Sequence, residues 1–293
     1  MSVTGAGFSR AVSYTACFKP RDYDYSKWYE DPNGGDAGRS VKVMSFNLRS
    51  ASSNDPGENS WTSRRPAVKA MLAAQSPLVM GTQECDIIQR KHILEDDSRY
   101  DAIGINLGGP HEDCEECAVF YLKDSVEVLS HKTFYLSNTP DTPSRLNGTS
   151  NYRVCTWGKM RLKNDGKEFY FFNTHLEYSA AQLRQPEMNI ILGKIQEINT
   201  EDLPMVLLGD FNCDETDGIY NGIKNYGFES CRTKALVGDS HKTHNGFGGY
   251  AQTLDHAFYK GFAGVNKFAT DRYKYAGITY ISDHYPIWAT LKF

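Results

Sequence analysis

The feature that most restricts this chain is a recurrence: a short run of Val, Leu, Ile, Met or Phe leads to a carboxylate, an amide or an imidazole. Val41-Lys42-Val43-Met44-Ser45-Phe46 ends on Asn47, Leu78-Val79-Met80-Gly81 leads to Glu84, and residues 169–173 lead to His175. Residues 204–209 end on Asp210, with Asn212 close behind, and Asp283-His284 precede the last apolar run, 287–293. Runs this short and apolar read as strands covered on both faces. Ionised groups are costly inside such strands but tolerable at their ends. The pattern predicts strands that carry their polar residues to one common rim.

Other elements fit around these strands. Apolar spacing at Val68, Met71 and Leu72 predicts a helix over 64–75 that stops before Pro77, and a longer helix is expected over 180–198. Residues 118–121, 126–136, 154–162 and 254–259 complete the predicted strands. No internal repeat is visible. The order of elements suits an α/β (α+β) sandwich over 41–293. Residues 1–40 differ: an aperiodic aromatic stretch, 20–29, precedes the turn-rich Asp31-Pro32-Asn33-Gly34-Gly35-Asp36. They are expected to form an N-terminal arm, packed on the domain through its aromatics or flexible beside it.

Composition narrows the class. With 293 residues, 40% of them hydrophobic, the chain can bury a substantial core. The balance of 32 basic against 36 acidic residues, a formal charge of −4, argues against a dedicated duplex-DNA binder. Seven cysteines with one close pair, Cys114 and Cys117, make a weak zinc signal and read as reduced thiols. No apolar run approaches the ~20 residues of a membrane span. The N-terminus lacks the signal-peptide pattern, so a cytoplasmic location is expected, with secretion open if a leader has been removed. The chain is expected to act as a monomer. Asn147-Gly148-Thr149 is a glycosylation triplet that carries weight only on a secretory route.

The polar set has a chemistry in common. Magnesium and manganese take oxygen ligands, so one or two carboxylates with an amide oxygen suffice to hold either ion. Such a cation offsets phosphate charge and helps form an attacking hydroxide. Imidazoles beside it can donate to a developing oxyanion or move protons near neutral pH. Each piece alone reads as a turn or a helix cap. Five of them in order, each at a strand end, are poorly explained that way. His256 is expected to serve packing, His131 to be an ordinary surface residue, and Tyr152 and Trp157 to pack in strands.

From Asn47 through Glu84, His175, Gly209-Asp210-Phe211-Asn212, Thr253-Leu254-Asp255-His256 and Ser282-Asp283-His284, the chain resembles the endonuclease/exonuclease/phosphatase superfamily over about residues 41–293. The resemblance implies a four-layered sandwich, two mixed β-sheets face to face with helices outside, and a site at one end of the sheets. It implies Asn47, Glu84 and Asp283 as the shell of one Mg2+ or Mn2+ ion, and Asp210 as the residue that aligns or deprotonates water. Asn212 and His175 then contact phosphate, and His284, oriented by Asp255, stands beside the scissile group. Glu115 matches a supporting acid, although Cys114 stands where the family usually has Gly. Arg153 resembles a phosphate-binding arginine, against the alternative of a loop anchor.

The segments 134–144, 153–157 and 243–256 resemble a largely uncharacterised branch, which implies a phosphoester substrate without naming it. A phosphodiesterase or nuclease is the first expectation. A phosphomonoesterase acting on sugar or inositol phosphates is the second, and a non-catalytic binding module the third.

Overall fold

The computed structural model describes residues 40–105, 115–149 and 151–293. The expected arm lies outside these residues, apart from Ser40, which opens the first strand. In chain order the first strands and helices are β1 (Ser40–Asn47), α1 (Trp61–Gln75), β2 (Val79–Gln83), α2 (Ile87–Asp96), β3 (Tyr100–Ile103), β4 (Val119–Leu122), β5 (Val126–Tyr135) and β6 (Val154–Leu162). Then come β7 (Glu168–His175), α3 (Ala181–Ile198), β8 (Met205–Asp210), α4 (Gly218–Asn225), β9 (Glu229–Ser230), α5 (Cys231–Lys234), β10 (Asp255–Lys260), β11 (Gly264–Thr270) and β12 (Ile287–Lys292).

The strands form two six-stranded sheets, ordered β11-β12-β1-β2-β4-β3 and β5-β6-β7-β8-β10-β9. Each is mixed, because one parallel pair sits among antiparallel neighbours: β1 with β2 in the first, β7 with β8 in the second. Parallel neighbours need a crossover, and α1 and α3 supply it. The two sheets are thus built on the same β-α-β unit.

Alternation along each strand explains the layers. On β1, Val41 and Val43 face the other sheet and pack with Phe169, Phe171, Val206 and Leu208. Met44 and Phe46 face outward under Trp61, Val68, Met71 and Leu72 of α1. On β7 and β8, Phe172 and Leu207 face outward beneath Met188, Ile191 and Ile195 of α3. Both faces of each central strand are covered, which is why these runs are continuously apolar. The result is the four-layered sandwich, helices outside two mixed sheets.

Polar residues cross the sheet interface near its rim. Gln83 Nε2 on β2 donates to Asn173 Oδ1 on β7 at 2.7 Å. Asn173 Nδ2 in turn donates to the Thr82 and Ala118 carbonyls at 2.8 and 3.0 Å. Gly81 makes room for this: a Cβ there would stand 2.6 Å from Asn173 Cγ. All four partners are buried, so each lost bond strands a desolvated group.

Helix α2 and strand β11 are the main elements that apolar spacing does not reveal. The α2 sequence leaves Ile87 and Ile88 exposed, and its start rests on a capping box between Asp86 and Gln89. A bulge between Val265 and Lys267 breaks the two-residue period of β11. The five described cysteines, Cys85, Cys117, Cys155, Cys213 and Cys231, are buried and free. Among the described residues, no helix is long and apolar enough to cross a membrane.

Asn173→Ala should lower stability by about 3 kcal/mol, since it strands Gln83 and two buried carbonyls at once. Denaturant titration checks this, and a loss below about 1 kcal/mol would mean that these groups find other partners.

Candidate active site

The two parallel pairs end side by side, and their inner-face residues meet. Asn47 closes β1 and Asp210 closes β8; Asn47 Nδ2 donates to Asp210 Oδ2 at 3.0 Å across the sheets. The same Nδ2 donates to Glu84 Oε1 at 3.0 Å, just past β2. His175, at the end of β7, is paired in register with Asp210. Asp255, the first residue of β10, stands opposite Asp210 on its other side. Four strand ends thus place four side chains around one carboxylate.

Local backbone serves this convergence. Arg49, Glu84 and Asn212 adopt left-handed φ values of 52°, 52° and 51°. Such a conformation costs a non-glycine residue about 1–2 kcal/mol, and the surrounding hydrogen bonds hold it in place. Asn212 N–H donates to Asp210 Oδ1 at 2.9 Å, and Asn212 Nδ2 donates to the Leu176 carbonyl at 2.8 Å. Gly209, at φ +150°, lets β7 approach: a Cβ there would come within 1.9 Å of the Thr174 carbonyl oxygen.

The loop before β12 brings in the remaining groups. Ser282 Oγ donates to the Asn47 carbonyl at 2.7 Å and to Asp283 Oδ1 at 3.2 Å. Asp283 Oδ2 lies 3.8 Å from the Arg49 guanidinium, whose charge is also felt by Glu84. His284 Nδ1 pairs with Asp255 Oδ2 at 2.8 Å, which leaves Nε2 pointing into the site, 3.7 Å from Asp210 Oδ2. His175 Nε2 is also 3.7 Å from that oxygen.

Burial and neighbouring charge set the protonation of this cluster. Burial pushes the Asp210 carboxyl up to about 7, with the Asp255 charge adding to it, against the pull of His284. Burial alone would discharge His284, but Asp255 and Asp210 outweigh it and hold the imidazole up at about 10. Burial would likewise raise Asp255, yet the His284 imidazolium keeps it below the usual carboxylate range. Burial, then Arg153 and His284, keep His175 well below its ordinary value, so it stays neutral. The two histidines therefore carry different charge states beside one carboxylate.

Glu115 and Arg153 stand farther out. Burial, and then the Glu84 charge, push the Glu115 carboxyl up to about 7, with Arg153 opposing. Arg153 is itself buried, 3.6 Å from Glu177 Oε2, and its Nε has no hydrogen-bond partner among the described residues. Cys114, which precedes Glu115, lies outside the described residues, so the Cys-x-x-Cys pair is described only at Cys117.

Residues 44–284 match the Endonuclease/Exonuclease/phosphatase family. The chain belongs to this family. Endonuclease/exonuclease/phosphatase proteins are phosphoester hydrolases. The chain is 29% identical to a mannosyl-6-phosphatase of Bacteroides thetaiotaomicron, with a TM-score of 0.79 over 86% of this chain and 100% of that one. It is 30% identical to another family protein of the same bacterium, with a TM-score of 0.78 over 87% and 98% of the two chains. It is also 24% identical to the uncharacterized protein L388 of Acanthamoeba polyphaga mimivirus, over 84% of this chain and 98% of the relative.

Against that family background, one site residue escaped the sequence reading. The His244 ring lies 4.6 Å from that of His284, and one of its ring nitrogens lies within 4.8 Å of Asp283 and His284 ligand atoms. It sits in no strand, so no apolar run announces it; its only signal is its place in the 243–256 segment. His256, by contrast, is packed: its ring bonds the Cys213 carbonyl at 2.8 Å among Phe211, Tyr220 and Phe258.

In metal-free protein, His284 should remain protonated from pH 6 to 8 and lose its proton near pH 10, while His175 stays neutral throughout. Because the folded value lies above the ordinary 6.5, His284 contributes stability below that pH and loses it as pH rises through about 10. Nitrogen-detected NMR of the imidazoles checks both; a His284 midpoint near 6.5 would show that Asp255 does not hold its charge.

Proposed function

We propose that this protein is a Mg2+- or Mn2+-dependent phosphoesterase that hydrolyses the phosphomonoester of a sugar. The observation that carries the hydrolase reading is the Asp210 carboxylate, held by Asn47 at 3.0 Å and flanked by His175 and His284 at 3.7 Å each. The sequence placed a diester substrate first. The monoester reading is favoured because a mannosyl-6-phosphatase matches along its whole length and the net charge of −4 suits a small substrate better than a polyanion.

The donor set fits a hard cation. Glu84 and Asp283 offer carboxylates and Asn47 an amide oxygen, all from the first strand ends and the β12 loop, with Arg49 and the buried Arg64 partly offsetting their charge. A cation held by these three residues would offset phosphate charge and make bound water more acidic. Asp210, with its carboxyl near neutrality, orients a water and takes its proton as the water oxygen bonds phosphorus. His284 donates from Nε2 to a phosphate oxygen, and its charge is sustained by Asp255. His175, neutral, and Asn212, through its remaining amide hydrogen, donate to the same group. The bond from phosphorus to the sugar oxygen breaks with its electron pair going to that oxygen, which takes a proton from solvent water and leaves as the alcohol, and Asp210 returns the proton it took to solvent. Arg153, paired with the buried Glu177, and Glu115 back the site electrostatically, the first toward His175 and the second toward Glu84.

Asp210→Asn and His284→Ala should each lower kcat by about 10³-fold with the fold unchanged by circular dichroism. Turnover within tenfold of wild type in either variant would remove that residue from the mechanism.

Chelation with EDTA should abolish activity, and added magnesium or manganese should restore it. Persistent turnover after exhaustive dialysis against chelator would exclude the metal role. Inorganic phosphate released from sugar phosphates, measured against cleavage of bis(p-nitrophenyl) phosphate, decides between monoester and diester.

A further inference from the structure

Residues 244–250 hold three consecutive left-handed positions, Gly246 (φ +52°), Phe247 (φ +53°) and Gly248 (φ +96°), of which only Phe247 is strained. Phe247 lacks the freedom of glycine there and costs about 1–2 kcal/mol. The loop is bolted to the site. Asn245 N–H and Gly246 N–H donate to the Asp283 carbonyl at 2.7 and 3.0 Å, and Asn245 Nδ2 donates to the Ser282 carbonyl at 3.2 Å.

What this loop displays is Tyr250. Its ring is stacked on His244 at 5.6 Å and 16°, yet the residue is 67% exposed. Gly246 leaves the room it needs, since a Cβ there would stand 2.2 Å from Tyr250 Cδ2. His244 in turn lies 4.6 Å from His284. Three rings thus lead from solvent to the imidazole that faces Asp210. Tyr178 mirrors this beside His175: it is 58% exposed, and the Arg153 guanidinium lies 5.8 Å from its ring centre.

A large aromatic ring that no core claims, fixed on a strained loop at a catalytic mouth, is a surface for part of a ligand. Residues 243–250 contain no Lys or Arg, although Lys242 adjoins them, so the loop itself presents no fixed cation to a further phosphate of a nucleic-acid strand. It suits an uncharged partner with an apolar face, such as the C–H face of a sugar ring.

We propose that Tyr250, backed by His244, is the specificity-determining platform for the sugar of the substrate, with Tyr178 as a second wall. This rests on the monoester reading above. The phosphate lies at Asp210 and His284 while the sugar ring stacks on Tyr250.

The test uses the full chain with its metal and compares a hexose 6-phosphate, a nucleoside 5′-monophosphate and methyl phosphate. In Tyr250→Ala, the kcat/KM ratio of hexose phosphate over methyl phosphate should fall about tenfold or more, mainly through KM. Tyr250→Phe should keep the ratio within about twofold, because the ring face remains. An unchanged ratio in Tyr250→Ala overturns the platform, as does a loss confined to the nucleotide. If wild type cleaves bis(p-nitrophenyl) phosphate but no monoester, the monoester reading itself falls, and the sugar platform with it.

Discussion

Everything at this site depends on two sheets being held in one register at their rim, and a pair of buried amides holds them. A purely apolar interface tolerates sliding, because dispersion and hydrophobic burial have little directionality. The Gln83–Asn173 bond and the two carbonyls that Asn173 also reaches do not tolerate it, since any slip leaves desolvated polar atoms unpaired. In register beside Gln83, Asn47 spans the same gap to Asp210. The amide that locks the sandwich and the amide that orients the carboxylate are therefore neighbours in one polar seam.

Charge is distributed along that seam with a consistent logic. A buried carboxylate needs a partner, and Asp255 has one in His284 at 2.8 Å. Asp210 has only neutral donors at hydrogen-bond distance, and the imidazolium stands off at 3.7 Å. Two aspartates opposite each other on adjacent strands thus end with different affinities for a proton, one kept charged and the other near neutrality. The separation follows from which of them His284 touches at hydrogen-bond distance.

Much of this was legible in the sequence, for a physical reason. Strands covered on both faces must be apolar, so the polar residue that ends each one stands out, and Asn47, His175 and Asp210 were found at the ends of β1, β7 and β8. Glu84 and Asn212 were found because they follow such runs closely, although nothing local foretold their left-handed backbones. What apolar spacing left hidden lacked that contrast. Helix α2 leaves two isoleucines exposed, β11 is bulged, and His244 arrives on an irregular loop whose shape is fixed by the Asp283 carbonyl. The sequence left Arg153 open between a phosphate contact and a loop anchor; its buried pairing with Glu177 was not legible, since the two are joined only in space.

The strand order has a consequence for how the molecule comes into being. Strand β12, last in the sequence, lies between β11 and β1, with Lys292 opposite Ser40. The first strand therefore keeps one edge unpaired until residues 287–292 have been made, and such long-range pairing is slow. Asp283 and His284 arrive on the approach to that same strand. A nascent chain can assemble Asn47, Glu84, His175 and Asp210, yet it gains the charged imidazole only as β12 closes the first sheet. Closure of the first sheet and arrival of that imidazole are one event.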